Sequence, residues 1–590
     1  AILTDRDREA LDVLRHSCAH VLATAVRQLY PHARIGFGPP IEDGFYYDFE
    51  VPRPFTPDDL AQIEAKMREV VQADYPFGRE EVTREEARRR FADDPLKLER
   101  IDDLGADEVI SVYTDGPFVD LCRGPHVPST GRITHFKLLH AAGAYWRGDE
   151  RRQMLQRIYG TAWFTKDELE AYLRRLEEAK KRDHRLLGKQ LDLYSIQEDV
   201  GPGLVFWHPK GAMMQFQLRR FIEDVILERG YHLIYTPHIT RERLFERSGH
   251  LPLYAENQFP PMAAGEGEAE DVRYRVKPMN CPGHILVYAA QQRSYRDLPL
   301  RLAEIANVYR NERSGTLHGM LRVRGLTMDD AHIFLREDQI EEEIFHLLDI
   351  VELVLAKTFG LSYRLDLATR PAKKLGSDET WDRAERALEQ ALKRRDLTYR
   401  LDQAGGAFYG PKIDVKFNDA IGREWQGATI QLDFELPERF ALEYTGADNR
   451  PHRPVIIHRA IFGTIERFTG FLIEHFAGAF PLWLSPEHAR VLPITDAQLA
   501  AARQVHEALR RAGIRSTVDE RSETLNYKVR DGEVHKVPYL AVVGQREAEG
   551  GTVAVRVRGS GKKQVILPLP EFVAKLQEEI RTRALTPLVS

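Results

Sequence analysis

Apolar and polar positions alternate along this chain with periods that change from stretch to stretch. Over residues 11–29 apolar side chains recur at helical spacing, and the run HSCAH puts His16 and His20 on one helix face. The Gly/Pro turn GFGPPIEDG then leads into FYYDFEV, whose alternation predicts a strand, and a helix is expected over residues 57–72. Residues 165–190 pair Glu with Lys or Arg at three- and four-residue spacing, which predicts one solvated connector helix. An amphipathic helix is expected over 206–229, followed by the strand LIYTPHI, and residues 259–271 read as a loop insertion. A helix over 338–359 precedes three strand-rich runs, FYGPKIDVKF, REWQGATIQLDFELP and RPVIIHRAIFG, which suggest an antiparallel sheet. Past Glu487 short strands and helices alternate as a small α/β domain.

Composition narrows the class without naming a function. The 590 residues suit three or four domains, and 43% hydrophobic with 29% charged residues is ordinary for a globular protein. A net charge of −6 gives no global sign of nucleic-acid binding, so an RNA surface would have to be local. Three widely separated cysteines argue against a disulfide framework and for a reducing compartment. With no signal peptide or membrane span in view, the expected location is the cytoplasm.

Candidate chemistry gathers in residues 277–334. Cys281 stands between Asn280 and Pro282, ahead of Gly283, and is expected in a turn. His332 follows Asp329 and Asp330 at the head of an apolar run, and His458 lies in the β-rich PVIIHRAIFG. Thiolate and imidazole suit Zn²⁺, although spacing alone is a weak signal and favours core or surface residues. Between them Arg310 can hold a phosphate bidentately, and Glu312, two residues on, can accept from an adenine amino group. Gly463 and Arg467 sit at an incipient helix, a second place for an arginine to meet a bent triphosphate. Upstream, His16, His20, Cys122 and His126 form another set, open to two readings: a capped helix beside a surface loop, or a second zinc site.

The two arginine segments resemble motifs 2 and 3 of class II aminoacyl-tRNA synthetases. KPMNCPGH, DDAHIF and VIIHRA together resemble the threonyl-tRNA synthetase family, over essentially the whole chain. The resemblance implies an α+β multidomain fold: an editing domain over 1–164, a helical linker over 165–190, a class II antiparallel-sheet catalytic domain over 191–485, and an α/β anticodon-binding domain over 486–590. The small ubiquitin-like domain that begins many members is expected to be absent from a sequence starting at Ala1.

The implied activity is ATP-dependent ligation of L-threonine to tRNA(Thr) through a threonyl-adenylate. Arg310, Arg467 and His250 carry the implied catalysis. Glu312, Arg322, Gln426 and Gln431 join the two arginines around ATP and its Mg²⁺, and Met279, Asp330, Tyr409 and Gln426 border the amino acid. One Zn²⁺ per subunit is implied at Cys281, His332 and His458. It reads the threonine hydroxyl and amine together, whereas serine differs from threonine by one methyl, worth roughly 1–3 kcal/mol, and needs a second sieve. The resemblance supplies one in a metal-free pocket of His16, His20, Lys97, Asp120, Cys122 and His126 that hydrolyses seryl-tRNA(Thr). Arg530, Arg546, Glu547 and Arg556 are implied to face tRNA, and the helix and strand ending near Pro237 resemble motif 1, a homodimer interface.

Two positions depart from the family pattern: Leu326 where an aromatic residue often stacks on adenine, and Met328 where glutamine often stands near the substrate carboxylate. Rival expectations are a class II synthetase for proline or serine, a synthetase-like RNA-binding protein without catalysis, and a zinc hydrolase.

Overall fold

A computed structural model describes residues 7–105, 108–149, 151–265, 269 and 271–589. The chain divides into two compact units, Ala1–Glu177 and Glu178–Ser590.

In the first unit the helix Arg8–Leu29 buries Leu14, Cys18, Val21, Leu22 and Ala25, the stripe expected from its period. The helix Pro57–Gln72 opens with a capping box between Thr56 and Asp59 and a proline in its first turn, which satisfies its first free N–H groups. Both helices pack on an antiparallel sheet ordered Arg34–Ile35, Gly44–Glu50, Met154–Trp163, His135–Tyr145, with Pro40–Ile41 paired to Gly44–Glu50. A smaller sheet joins Phe77–Val82, Ile110–Asp115 and Phe118–Leu121.

The connector is broken: Lys166–Arg182 and His184–Gln190 are separate helices. Asp183 leaves helical geometry, at φ −49° and ψ 121°, and its carboxylate accepts from the Arg185 N–H, so an N-cap interrupts the charge pattern.

The second unit is built on an eight-stranded sheet. Its order is His232–Leu233, Leu300–Tyr309, Gly325–Leu335, Val455–Thr464, Glu424–Asp433, Lys412–Asn418, Tyr363–Ala368, Tyr399–Asp402. All pairings are antiparallel except those of the two edge strands. The expected helix over 206–229 starts later, at Pro209–Leu227, because Val205–Trp207 pairs as a strand and Pro209 can only begin the helix. The helix over 338–359 is α-helical over Ile340–Val351 and widens to a π-helix over Glu352–Thr358. Of the expected loop insertion, Met262–Ala263 pairs with Arg273–Val276, while residues 266–268 and 270 lie outside the described residues.

A five-stranded sheet with strand order Ser516–Val518, Ala489–Pro493, Tyr539–Val543, Thr552–Val557, Val565–Pro568 forms the C-terminal part, its first three strands parallel. Among the described residues no helix is long and apolar enough to cross a membrane.

Candidate functional site

Sheet register assembles the first site. His332 and His458 face each other directly on neighbouring antiparallel strands, and Gln431 lies opposite His458 on the next. Cys281 comes from outside the sheet. It is the first residue of the helix Cys281–Ala289 and is buried, so the expected turn is corrected: Pro282, lacking an N–H, initiates the helix here. The donor atoms of Cys281, His332 and His458 lie within 4.8 Å of one another.

Hydrogen bonds decide which imidazole atoms face inward. His458 Nε2 stands 2.8 Å from Asp433 Oδ2 and donates to it, leaving the Nδ1 lone pair free. His284 Nε2 stands 3.3 Å from Glu304 Oε2 and donates in the same way, so its Nδ1 is an acceptor. His332 Nδ1, 2.9 Å from that atom, therefore carries the proton, and its Nε2 is left with a lone pair. Those two nitrogens, His332 Nε2 and His458 Nδ1, are buried without a hydrogen-bond partner. Two converging lone pairs beside a thiol fit a Zn²⁺ ion, and carboxylates behind ligating histidines fix their tautomers. Burial, with Asp330 and Asp433 adding, pushes the Cys281 thiol well above its ordinary range, and burial with the flanking His284 and His458 pushes His332 well below its own. Burial alone would raise the Glu304 carboxyl, but bonds from His284 and Thr236 bring it down to about 2.

Around the trio, Asn280 Nδ2 donates to Asp330 Oδ2 at 3.1 Å. The Tyr409 hydroxyl donates to Gln431, and its ring centroid lies 4.8 Å from that of His458. Met279 is half-buried against the apolar cluster of Cys281 and Ile285. His250, expected in a loop, is fully buried at the start of the short helix His250–Tyr254. Its Nδ1 meets Ser248 Oγ at 2.8 Å, its Nε2 has no partner, and burial with His458 and Arg310 nearby lowers it to about 3.

Arg310 follows directly on the strand Leu300–Tyr309, and Arg467 occupies the first turn of the helix Ile465–His475. Among the described residues neither has a carboxylate within 4.0 Å. Arg310 instead reaches the Pro278 carbonyl at 3.4 Å and Met328 Sδ at 3.9 Å. Burial and the Arg322 cation lower Arg467. A desolvated guanidinium without a carboxylate partner, as at Arg467, is costly unless an anion joins it. Arg322 does pair, with Glu312 at 2.8 Å, so in this state Glu312 faces a cation rather than open space. Gln426 is half-buried on the strand Glu424–Asp433. Leu326 packs with Val308 and Val323, and Met328 lies against that cluster. Between Met328 and Asp330 the pairing with Val455–Thr464 slips, and the buried Asp329 carboxylate fills the bulge by accepting from the Ile461 and Phe462 N–H groups at 2.8 and 3.0 Å.

The second set meets in the first unit. Donor atoms of His16, His20, Cys122 and His126 lie within 4.8 Å of one another. Ser17 Oγ donates to the Val13 carbonyl and accepts from the Val127 N–H, so its 3.0 Å contact with His126 Nδ1 is donated by the ring. His126 Nε2 is then an acceptor, 3.3 Å from Cys122 Sγ. Burial pushes that thiol up to about 12 and drives His126 far below its ordinary range. Lys97 and the Tyr47 hydroxyl both contact the Asp120 carboxylate, which lies 3.6 Å from His20 Nε2. A cavity of about 650 Å³ opens onto His16, His20, Lys97, Asp120 and Cys122, with Phe37 and Trp146 on its wall.

In the C-terminal part, Arg530, Arg546 and Arg556 stand on three different elements, and among the described residues no hydrogen bond or ion pair links them. The Glu547 carboxylate accepts from the Gly544 N–H at 2.9 Å and caps its own helix.

His284, Glu304, Asp433, Ser17 and Tyr47 escape a reading of the sequence. Only His284 carries a signal there, three residues beyond Cys281 and so on the same helix face.

Three family models match the chain. "Threonyl and Alanyl tRNA synthetase second additional domain" matches residues 110–159, "tRNA synthetase class II core domain (G, H, P, S and T)" 266–476, and "Anticodon binding domain" 488–579. The chain is 55% identical over 566 residues to a threonine–tRNA ligase of Nitrosococcus oceani, covering 95% of this chain and 86% of that one. It is 51% identical over 589 residues to the ligase of Magnetococcus marinus, covering 99% and 90%. Among solved structures, the RNA binding domain of threonyl-tRNA synthetase from Cryptosporidium parvum Iowa II is 40% identical with a TM-score of 0.63, over 68% of this chain and 98% of that one. A putative threonyl-tRNA synthetase from Aeropyrum pernix is 28% identical with a TM-score of 0.58, over 69% and 97%. With half its residues shared along nearly its full length, and a class II core preceded by the additional domain and followed by the anticodon-binding domain, the chain belongs to the threonine–tRNA ligase family of class II aminoacyl-tRNA synthetases.

Proposed function

We propose that this chain ligates L-threonine to tRNA(Thr) at the Cys281/His332/His458 site and hydrolyses seryl-tRNA(Thr) in the first unit. The observation that carries the reading is the pair of buried, unpartnered lone pairs on His332 Nε2 and His458 Nδ1, aimed with Cys281 at one point. Cys281, His332 and His458 would hold Zn²⁺, which supplies a Lewis-acidic contact that reads the amine and hydroxyl of threonine together.

In the first step a threonine carboxylate oxygen attacks the α-phosphorus of ATP, and the bond to the β-phosphate breaks to release pyrophosphate. Alignment and charge neutralisation do most of this work. Arg310 holds the α-phosphate and carboxylate, Arg467 the γ-phosphate, and Mg²⁺ accompanies the nucleotide. Glu312 meets adenine after leaving Arg322, which then turns to a phosphate. Gln426 and Gln431 offer polar contacts beside them. Asp330, held by Asn280, accepts from the threonine hydroxyl, and Tyr409 and Met279 border the side chain. In the second step a ribose hydroxyl of the tRNA end attacks the threonyl carbonyl and AMP leaves. The unpartnered Nε2 of His250 can accept the hydroxyl proton.

In the first unit His16, His20, Lys97, Asp120, Cys122 and His126 bind the seryl ester and position a water. Arg530, Arg546, Glu547 and Arg556 contribute to tRNA binding. Exposed apolar residues of the motif 1 region, Phe216 at 54% and Tyr235 at 77%, support a homodimer there.

ATP–pyrophosphate exchange with threonine, serine and valine, on protein of known zinc content, tests the reading. The expected order is strong, weak and none, with threonine exchange lost on chelation; exchange indifferent to zinc would overturn it.

A further inference from the structure

Outside both sites, the donor atoms of Asp183, His184 and Glu474 lie within 4.8 Å of one another, a spacing that admits a metal ion. All three are already engaged. Asp183 binds the Arg185 N–H and guanidinium, Glu474 is shared between His184 and Arg423, and His184 Nε2 lies 3.1 Å from the Met320 N–H. A backbone N–H can only donate, so that Nε2 is an acceptor, and Nδ1, 2.7 Å from Glu474 Oε1, donates. Glu474, His184 and the Met320 N–H form a hydrogen-bonded clamp, with His184 fully buried at its centre.

The clamp grips the loop 310–324, which bears Arg310, Glu312 and Arg322. At the root of that loop the Arg310 N–H donates to the Arg324 carbonyl, and the Arg324 N–H donates to the Gly203 carbonyl at 2.7 Å. At its far turn the fixed point is Met320, whose side chain is buried and whose N–H meets His184. Gly319, at φ +51°, lets the turn come this close: a Cβ there would lie 2.1 Å from His184 Nε2. The helix Ile465–His475 closes the arrangement. Arg467, Gly470 and Glu474 recur on it at helical spacing; a Cβ at Gly470 would touch Leu321 and Met320 at 3.0 and 3.2 Å, and Glu474 holds His184.

We propose that His184 is a positioning residue for the ATP-dependent step: its imidazole, oriented by Glu474, fixes the loop bearing Glu312 and Arg322 against the helix bearing Arg467. Both nucleotide-binding arginine segments thereby share one anchor. The proposal rests on the ligase reading above.

The test is ATP–pyrophosphate exchange on the full chain, comparing the parent with His184→Asn and His184→Gln and measuring KM for ATP and threonine separately. Glutamine can place an acceptor where Nε2 stands and satisfy the Met320 N–H. Asparagine reaches only the Nδ1 position, keeps the bond to Glu474 and leaves the Met320 N–H buried and unpaired. Loss of that bond is expected to raise the KM for ATP about tenfold in His184→Asn. The KM for threonine and the zinc content should not change, and His184→Gln should stay near the parent. Equal effects of the two variants, no effect of asparagine, or a parallel rise in both KM values would overturn the proposal. Should His184→Asn fail to fold, Gly319→Ala, which displaces the turn from His184, decides by the same ATP-specific rise. A parent without threonine-dependent exchange would overturn the ligase reading, and this proposal with it.

Discussion

His458 Nε2 donates to Asp433 Oδ2 across 2.8 Å, and this bond turns the Nδ1 lone pair of His458 toward Cys281 and His332. Asp433→Asn keeps an oxygen for the Glu435 and Leu436 N–H groups but can set an amide donor against the Nε2–H. Zinc affinity is expected to fall roughly 10–100-fold with the fold retained, as outer-shell changes do. Competition with a chromophoric chelator measures it.

Arg467 is a largely desolvated cation with no carboxylate partner among the described residues, and burial with Arg322 lowers its pKa. Arg467→Gln is expected to reduce kcat/KM for ATP about 10²–10³-fold, while the melting temperature stays level or rises because the unpaired charge is gone. Exchange kinetics and calorimetry on one preparation check both halves.

Asp115 is fully buried in the first unit, against Thr24 on the helix that carries His16 and His20. Thr24 Oγ1 lies 2.9 Å from the His20 carbonyl and 2.6 Å from Asp115 Oδ2. One hydroxyl proton cannot serve both, so the carboxyl donates to Thr24. Burial agrees, pushing Asp115 from 3.8 up to about 8. A carboxyl raised on folding contributes stability that is full below its unfolded pKa and is lost as pH rises through the folded value. Asp115→Asn, which mimics the protonated form, should therefore gain on the parent between pH 4 and 8 and level off above, by several kcal/mol at most. Thermal melts across that range measure the difference.

Cys122 is poised as a thiol rather than a nucleophile. With its pKa pushed up to about 12, it should react with iodoacetamide at pH 8.5 roughly a thousandfold more slowly than free cysteine. Peptide mass spectrometry of the alkylated protein reads the rate. Cys122→Ala should let seryl-tRNA(Thr) accumulate while threonine-dependent exchange is unchanged.

Phe216→Glu combined with Tyr235→Glu places charge on the exposed apolar residues of the motif 1 region. Light scattering is expected to show a dimer for the parent and a monomer for the double variant.

Much of this was legible in residue types and period. The helices and the antiparallel strands follow from runs that keep one pattern. The expectation of zinc at Cys281, His332 and His458, and of a hydrolytic pocket at the His/Cys set of the first unit, came from the resemblance of their motifs to the family. What escaped depends on distance in space. Asp433 and Glu304 look like ordinary strand carboxylates until register places them behind His458 and beside His284. The helical start at Cys281 was hidden by its neighbours, since Asn-Cys-Pro-Gly reads as a turn until packing chooses the helix. The connector shows the converse: its charge pattern runs unbroken through Asp183, where a single capping carboxylate divides it.

The direct opposition of His332 and His458 has a consequence for biogenesis. Their strands are separated in the chain by several helices and other strands, and Cys281 arrives from a third place. No short segment leaving the ribosome can chelate zinc as a compact finger does. A zinc ion held by these three residues would be captured only once this non-local sheet has zipped together, the slow kind of pairing in folding. Zinc uptake by a refolding chain should then lag behind helix formation, and so serve as a clock for the last stage of assembly.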